Sequence, residues 1–169
     1  MSMTHIFMIM GNENGCEIIY TQNHEVKIMK SKCRVNKMVY QMAHAYYRPV
    51  LPTLKLIKKI HGYSQKVPVL IEYDRLLLFP TISMKDPSCC WINYYCVADI
   101  KGNKEKTTIF FGEYSIVQKK YTQCWSCVLP IDKRVIRKQL QRCHEIHSQF
   151  RKDRIIELVE KEIHSKINV

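Results

Sequence analysis

Residues 66–101 form the densest apolar stretch of the chain and constrain its possible folds more than any other feature. Residues 67–71 and 76–79 are short runs rich in leucine and β-branched side chains, and the polar residues 73–75 between them are typical of a hairpin loop. Residues 91–100 alternate in character with the period of a β-strand. The stretch therefore predicts three central strands, around which one hydrophobic core is built.

Two prolines mark an interruption between the second and third of these strands. Pro80 and Pro87 cannot donate a ladder hydrogen bond, and their rings fix the backbone φ angle. Residues 81–90, which we name the central excursion, are therefore predicted to leave the sheet as a rigid loop. Loops mounted on a scaffold in this way often carry binding residues.

The residues around the central excursion resemble a known family. The matching motifs are Leu78-Phe79-Pro80-Thr81, Ser83, Pro87, Cys89 and Trp91-Ile92, preceded by Lys66-x-Pro68. They are similar to the most recognisable segment of the ComK family of competence transcription factors. Outside residues 66–101 the resemblance is one of length, element order and basic charge, with a short Lys152-Asp153-Arg154 run before the last helical segment.

This resemblance implies a sequence-selective DNA-binding transcription activator of competence (DNA-uptake) genes, which binds A·T-rich promoter sites in double-stranded DNA from the minor groove. It also implies self-association, as a homodimer or a higher oligomer on paired half-sites, and turnover through an adaptor and a protease. Two family features are not matched. Residues 40–52 lack the glycine-containing Cys-Arg-x-x-Gly and Gly-Arg-Lys segment, and the adaptor-binding tail is reduced to Phe150-Arg151-Lys152. The chain is therefore identified as a divergent paralogue.

Basic side chains outnumber acidic ones by 27 to 15, which gives the chain a formal charge of +12. The excess is concentrated, because residues 26–71 contain ten basic side chains and no acidic one. Residues 118–144 contain seven basic side chains against Asp132 alone, whereas the last 19 residues have five basic and four acidic ones. A field of one sign attracts polyanions, of which nucleic acid is the commonest, so the body of the chain is predicted to bind nucleic acid.

Candidate DNA contacts come from the two basic blocks and from the loops between them. They are Arg48, Lys55, Lys58, Lys59, Lys85, Lys101, Lys119, Lys120, Arg134, Arg137 and Lys138. Phosphate contacts give affinity without sequence information, so some side chain must also enter a groove. Lys85 in the central excursion and Arg48 after the first helix are the candidates for that role, with the helix over residues 133–142 as a rival. The choice of groove does not follow from these residues.

Two other classes of function fit the same sequence. An RNA-binding accessory protein would combine the basic surface with exposed aromatic side chains, for which Trp91, Tyr94 and Tyr95 are available. A protein-interaction module would act through the last helix and would have no nucleic-acid affinity at physiological salt. Enzymatic activity is not expected, because the chain has no glycine-rich phosphate loop and no Gly-x-Ser-x-Gly motif.

Eight cysteines raise the question of a metal site or a disulfide framework. Cys124 and Cys127 are followed by Cys143, His144 and His147, a spacing close to that of zinc sites. Residues i and i+3 of a strand point to opposite faces, however, so packed thiols are expected, without metal or cofactor. The start of the chain lacks a cationic signal segment and no apolar run approaches ~18 residues, so a cytoplasmic protein with free thiols and no membrane contact is expected.

The remaining segments predict further strands and two helical regions. Strands are expected at residues 5–10, 16–21, 26–29, 54–60 and 124–129, with a hairpin of residues 106–111 and 114–118 around Gly112-Glu113. Apolar positions at helical spacing predict a first helix, capped by Ser31 and ended by Pro49 and Pro52. Residues 132–168 contain no Gly or Pro and are predicted to be helical, as one helix or as two.

These elements predict a single α+β DNA-binding domain over residues 1–169. Its expected core is a curved, mostly antiparallel sheet with one inserted helix and a helical C-terminal region at residues 132–168. Asp132 is the predicted N-cap of that region, and Asp153 would cap a second helix if the region is divided. The end of the region is expected to pack on the sheet or on a partner through Ile155, Ile156, Val159 and Ile163.

Overall fold

Two antiparallel sheets and three α-helices make up residues 4–46 and 50–167, the part of the chain that the structure, a computed structural model, describes. The strands are β1 His5–Asn12, β2 Gly15–Gln22, β3 Glu25–Ser31, β4 Val69–Glu72, β5 Leu76–Pro80, β6 Cys90–Asn93, β7 Val97–Gly102, β8 Thr107–Ser115 and β9 Lys120–Leu129. The helices are α1 Val35–Ala45, α2 Val50–His61 and α3 Lys133–Ile167, with a 3-10 turn at Tyr94–Cys96. The predicted α+β class is confirmed.

The larger sheet contains six strands in the order β3-β2-β1-β6-β5-β4, and each neighbouring pair is antiparallel. The three N-terminal strands and the β4–β5 hairpin lie where the sequence predicts them. Gly15 begins β2 with a φ of +144°, and a Cβ there would lie 2.0 Å from the Ser31 carbonyl oxygen. Glycine is therefore required at this position for β2 to pair closely with the end of β3.

The prediction of one strand over residues 91–100 is wrong, because the chain changes sheets within it. β6 belongs to the larger sheet, whereas β7 follows the 3-10 turn and begins a three-stranded sheet in the order β7-β8-β9. The buried Asn93 lies at the change. Its amide nitrogen lies 2.8 Å from the Ile6 carbonyl oxygen and 2.9 Å from that of Arg75, and its side-chain oxygen accepts from the Leu77 and Tyr95 amides. At the end of β6, hydrogen bonds from the Asn93 side chain therefore take the place of backbone hydrogen bonds between strands.

The two sheets and the helices pack as layers around one core. On one face of the larger sheet, the Phe7 ring stacks on Phe111 of β8 at 5.4 Å, and Met8 contacts Cys127 of β9. On the other face, the indole nitrogen of Trp91 donates to Asn36 of α1. The larger sheet is therefore covered by the smaller sheet on one side and by α1 on the other.

Two helices, rather than the one predicted, connect β3 to β4. The first begins at Val35 and not at a Ser31 cap, since the Ser31 hydroxyl accepts instead from the Cys33 amide. The strand predicted at residues 54–60 is wrong, because this segment belongs to α2, in which Ile57 is buried and Lys58 is exposed. Pro52 lies in the first turn of α2, where its missing N–H removes no intrahelical bond.

The hairpin predicted around Gly112-Glu113 is also wrong. β8 continues without a break to Ser115, and the turn lies at residues 116–119 before β9. A register shift between Phe111 and Gly112 divides the hairpin into a buried base and an exposed outer part. The predicted last strand at residues 124–129 is confirmed as the end of β9.

α3 is one continuous helix, so a second helix starting at Asp153 is not found. Asp132 precedes it and accepts the Arg134 amide at 2.8 Å, which confirms the predicted cap. Cys143 and Ile146 are fully buried, whereas Val159 and Ile163 near the end are about half exposed, at 49% and 50%. Those two side chains are therefore not buried on the sheet, packing on a partner stays a prediction, and the side chains of Ile155 and Ile156 lie outside the described residues. Among the helices of residues 4–46 and 50–167, none has an apolar stretch of the length that spans a lipid bilayer.

The middle of α3 is fixed to the sheet by an aromatic contact at His147. Its ring stacks on Tyr73 with centroids 4.9 Å apart, and its Nδ1 atom lies 2.9 Å from the Tyr95 hydroxyl and 3.9 Å from an Asp74 carboxylate oxygen. Burial lowers the pKa of His147, although the charge of Asp74 opposes this effect. The folded protein is therefore more stable when the His147 imidazole is neutral than when it is protonated.

We expect replacement of Asn93 by alanine to destabilise the protein by about 3 kcal/mol, because buried carbonyl and amide groups lose their partners. Urea unfolding monitored by circular dichroism measures this change. Replacement of the exposed Asn14 by alanine is the control and should shift the midpoint little. Equal effects of the two substitutions would contradict the role given to Asn93.

We expect acidification from pH 7.5 to 5.0 to weaken the fold partly through His147. Its folded pKa lies below its unfolded value, so its contribution is present above an unfolded pKa of about 6.5 and is lost as the pH falls. Urea midpoints at the two pH values should therefore differ less in His147→Gln than in the parent protein. His44→Gln, at an exposed position on α1, is the control and should keep the full pH dependence.

Candidate nucleic-acid interface

A basic cleft of about 590 Å³ lies between α1, the end of α2, the segment before β4 and the central excursion. Three lysines line it: Lys58 from α2, Lys66 before β4 and Lys85 from the central excursion. The neutral polar groups of the lining include Asn36, Tyr40, Ser64, Gln65 and Ser83. Among the described residues, no acidic side chain belongs to this lining. The basic cleft thus offers several cations and hydrogen-bond donors to an anionic ligand.

The central excursion leaves the sheet between β5 and β6, as the sequence predicts, and short-range hydrogen bonds hold its shape. The Asp86 amide donates to the Ser83 carbonyl at 3.0 Å, and the Asp86 carboxylate accepts the Ser88 amide at 2.9 Å. The Gly11 amide of β1 donates to the Cys89 carbonyl at 3.0 Å. A Cβ at Gly11 would lie 2.2 Å from the Pro87 carbonyl oxygen, so only glycine allows this approach.

Asn36 ties the central excursion to α1 and so forms one wall of the basic cleft. Its amide donates to the Met84 carbonyl, next to Lys85, and its side-chain oxygen accepts from the Trp91 indole at 3.4 Å. Trp91 is 1% exposed. The position of Lys85 is therefore set by a chain of contacts that ends in the core.

The opposite wall is held by α3. Gln139 is 2% exposed, and its amide donates to the carbonyls of Lys66 and Pro80, each at 2.8 Å. Arg142 donates to the Gln65 carbonyl at 2.8 Å and lies over the Tyr63 ring at 4.6 Å. Lys66 itself has a φ of +51°, an unusual value for a residue with a side chain. These contacts fix the backbone from which the Lys66 side chain projects.

The structure brings together only part of the predicted set of contacts. Lys58 and Lys85 share the basic cleft, and Lys55 and Lys59 are exposed on the same helix as Lys58. Arg48 lies outside the described residues. Lys66 belongs to the acid-free block of the sequence but was not among the candidates, because its position beside Lys85 depends on the fold rather than on a local motif.

The other candidate cations lie on three further elements. Lys101 of β7 lies over the Phe110 ring at 5.5 Å, and Arg137 and Lys138 are exposed on α3. Arg134 is bound to the Asp132 carboxylate at 2.7 Å, which partly neutralises it. Lys119 and Lys120 are exposed at the outer end of the β8–β9 hairpin.

The rings of the aromatic residues proposed for RNA stacking are not exposed on the surface. Trp91 is buried, and Tyr94 and Tyr95 are half-buried, with hydroxyls 3.3 Å from His144 and 2.9 Å from His147 respectively. Base stacking on these three residues would require the core and the α3 contact to open. The RNA-binding alternative therefore loses the residues on which it was based.

All eight cysteines are free thiols, and five of them are buried: Cys16, Cys89, Cys90, Cys96 and Cys143. Burial raises the pKa of Cys90 to about 11 and that of Cys96 to about 12, so both remain protonated at neutral pH. Cys127 contacts Met8, and Cys143 lies on α3 with its side chain fully buried. Within residues 4–46 and 50–167, no group of three or more His, Cys, Asp or Glu side chains is placed to hold a metal ion.

An α+β fold with a cleft that holds three lysines and, among the described residues, no acidic lining group is typical of the class of proteins that bind polyanions. A comparison with protein families makes the assignment more specific, because the family model described as ComK protein matches residues 2–155. The chain belongs to the ComK family, which places it among competence-related transcription factors rather than enzymes. No curated protein and no solved structure matches the chain.

We expect Gln139→Ala to destabilise the protein by about 2 kcal/mol, because two carbonyl groups lose their donor at a site closed to water. The free energy of unfolding in urea measures this effect. Arg137→Ala, an exposed substitution two residues away on α3, serves as the control and should change it by less than ~0.5 kcal/mol. A smaller loss for Gln139→Ala than for the control would show that α3 does not hold the wall of the basic cleft.

Proposed function

We propose that the protein is a sequence-selective transcription activator of competence genes that binds A·T-rich promoter DNA, with residues 1–169 acting as one DNA-binding domain. The observation that carries the proposal is the convergence of Lys58, Lys66 and Lys85 on a cleft with no acidic lining residue among those described. Three lysine ammonium groups in one cleft repel each other and gain stabilisation from an anion with repeated charges. The phosphate backbone of DNA has this property.

The shape of the site favours a duplex over a small anion. The basic cleft is open, and the exposed Lys55 and Lys59 continue the charge along α2. Arg137 and Lys138 of α3 and Lys101 of β7 are exposed as well, and we propose them as further phosphate contacts. These cations support the phosphate contacts, and we propose Lys85, on the rigid central excursion, as the side chain that reaches into a groove.

Arginine and lysine side chains respond to the narrow, strongly negative minor groove of A·T-rich DNA, which is why we propose that groove. A rigidly held cation reads groove width rather than individual base edges. Sequence selectivity would then come mainly from DNA shape and from its resistance to bending.

We also propose that the protein self-associates on DNA, with a second copy on a paired half-site. Val159, Ile163 and Ile167 are exposed on α3 at intervals of four residues, which puts them on one face of the helix. The last 19 residues carry a net charge of +1 from five basic and four acidic side chains, so two copies of this segment repel only weakly. Turnover through an adaptor and a protease is a further proposal, which rests on family membership.

We expect the double variant Lys58→Ala/Lys85→Ala to weaken binding to an A·T-rich duplex about tenfold or more at 150 mM salt and to reduce the slope of log K against log salt by about 2. Fluorescence anisotropy titrations at two salt concentrations measure both quantities. A single-stranded RNA of the same length, titrated in parallel, distinguishes duplex binding from the RNA-binding alternative.

The matched control is Lys27→Ala/Lys30→Ala, which removes the same charge from β3 at the opposite edge of the larger sheet from β4. Both lysines already have polar partners, Gln22 and Glu17 respectively. This variant should keep most of the affinity. If both double variants lose affinity equally, binding reflects net charge and not the basic cleft.

A further inference from the structure

The outer part of the β8–β9 hairpin, residues 112–123, projects beyond the core and carries two apolar side chains at its tip. We name it the hairpin arm. Ile116 and Val117 are 82% and 93% exposed, more than any other large apolar side chain among the described residues. Below the arm, Ile109 and Phe111 are fully buried. Two adjacent apolar side chains held in water at the end of a projection indicate a surface that becomes covered on binding.

The hairpin arm is braced rather than loose. At its base, the Glu113 carboxylate accepts the Thr21 hydroxyl at 2.7 Å and lies 2.7 Å from His24 Nδ1. Desolvation would raise the pKa of Glu113, but these hydrogen bonds outweigh it and hold the pKa below its usual value. The Tyr121 hydroxyl donates to the Tyr95 carbonyl at 3.2 Å, which fixes the second strand of the arm to the 3-10 turn.

The tip itself has a defined turn. Ser115 pairs with Lys120, the Gln118 amide donates to the Ser115 hydroxyl at 3.2 Å, and Lys119 takes a φ of +52°. One residue pair below, the Tyr114 and Tyr121 rings make an edge contact at 5.1 Å. The apolar pair is therefore presented on a stiff, two-stranded support, so little conformational freedom is lost when it is covered.

The charge of the hairpin arm selects its partner. Lys119 and Lys120 follow the apolar pair directly, and residues 114–131 contain no acidic side chain. Two copies of the arm would repel each other, and two apolar side chains are too few to hold a protein on a lipid surface. A nucleic-acid duplex has a partner for both features within a few ångströms, because its base stack is apolar and the phosphates that flank the stack are negatively charged. Apolar side chains inserted between base pairs are a known way of kinking a duplex from the minor groove.

We propose that Ile116 and Val117 insert between two base pairs of bound DNA from the minor groove and kink the duplex, while Lys119 and Lys120 contact the flanking phosphates. This inference rests on the proposed DNA binding. Two adjacent strands are ~4.8 Å apart before their side chains are counted, so the arm enters a groove ~6 Å wide only with its tip.

The position of the hairpin arm explains how a kink would assist binding. Gly11, at one end of β1, contacts the central excursion beside the basic cleft, whereas Thr21, paired with His5 at the other end, contacts the arm. Six residue steps along β1, from His5 to Gly11, separate these two contacts by roughly 20 Å. In this proposal, a duplex kinked at the tip contacts more of the protein surface, so the energy of unstacking is offset by added phosphate contacts.

The test uses the full chain and a duplex with an A·T-rich site that carries 2-aminopurine in its centre and a fluorescent dye pair at its ends. Binding of the parent protein should raise the 2-aminopurine fluorescence, which reports unstacking, and shorten the distance between the dyes. In Ile116→Ser/Val117→Ser both signals should be lost, with binding about tenfold weaker. The same variant should regain most of the lost affinity for a duplex with a central mismatch, because that duplex is already partly unstacked.

The matched control is Ile28→Ser/Met29→Ser, an equally polar change at an adjacent exposed pair on β3, and it should keep both signals. If the parent protein binds the duplex and the tip variant unstacks it equally, the insertion is disproved while the proposed DNA binding stands. If the parent protein binds no duplex, both proposals fail. If the tip variant changes only the oligomeric state in sedimentation, the tip is a contact between copies and the insertion is overturned.

Discussion

One buried amide, that of Asn93, is the contact on which the arrangement of both sheets depends. It ends β6, bonds to the backbone of β1 and to the turn that precedes β5, and accepts the amide of the 3-10 turn that leads into β7. Without it, carbonyl groups of two segments would be left unpaired in the core at the point where the chain leaves the larger sheet. The smaller sheet, and with it the hairpin arm, takes its place over the larger one because the chain turns at this residue.

Uncharged contacts of the same kind organise the basic cleft. Asn36 holds the central excursion, Gln139 holds the segment that carries Lys66, and Gly11 lets the excursion approach β1. Lysines that face one cleft repel each other, and no acidic lining residue among those described offsets that repulsion. Neutral hydrogen bonds anchored in the core therefore keep the cations together. The positive charge of the lysines is then available to an anionic ligand.

Local sequence patterns predicted the features of the fold that depend on neighbours in the chain. The hairpins on either side of β2 and in the central apolar stretch, the proline-bounded excursion and the Asp132 cap all follow from turn residues and periodicity. The acid-free block likewise predicted a cationic surface before any contact was known. In the part of the interface that the structure describes, Lys58 and Lys85 do meet in one cleft.

The errors occurred where a distant contact decides the local structure. Alternation continues through residues 91–100, but the bonds from Asn93 to Ile6 and Arg75 break the strand, and no pattern within the strand reports them. Residues 54–60 are too short a window for periodicity to distinguish a strand from a helix, and in α2 Ile57 is buried in the core. Lys66 was missed because its place beside Lys85 depends on Gln139, more than 70 residues later in the chain.

The buried thiols can serve as natural reporters of local unfolding. Cys16, Cys89, Cys96 and Cys143 lie on β2, the central excursion, the 3-10 turn and α3, and each is closed to solvent. An alkylating reagent reaches such a sulfur only when its own segment opens, and the rate of modification then follows the free energy of that opening. Alkylation followed by mass spectrometry would therefore measure the local opening of each of these elements, with no substitution in the natural sequence.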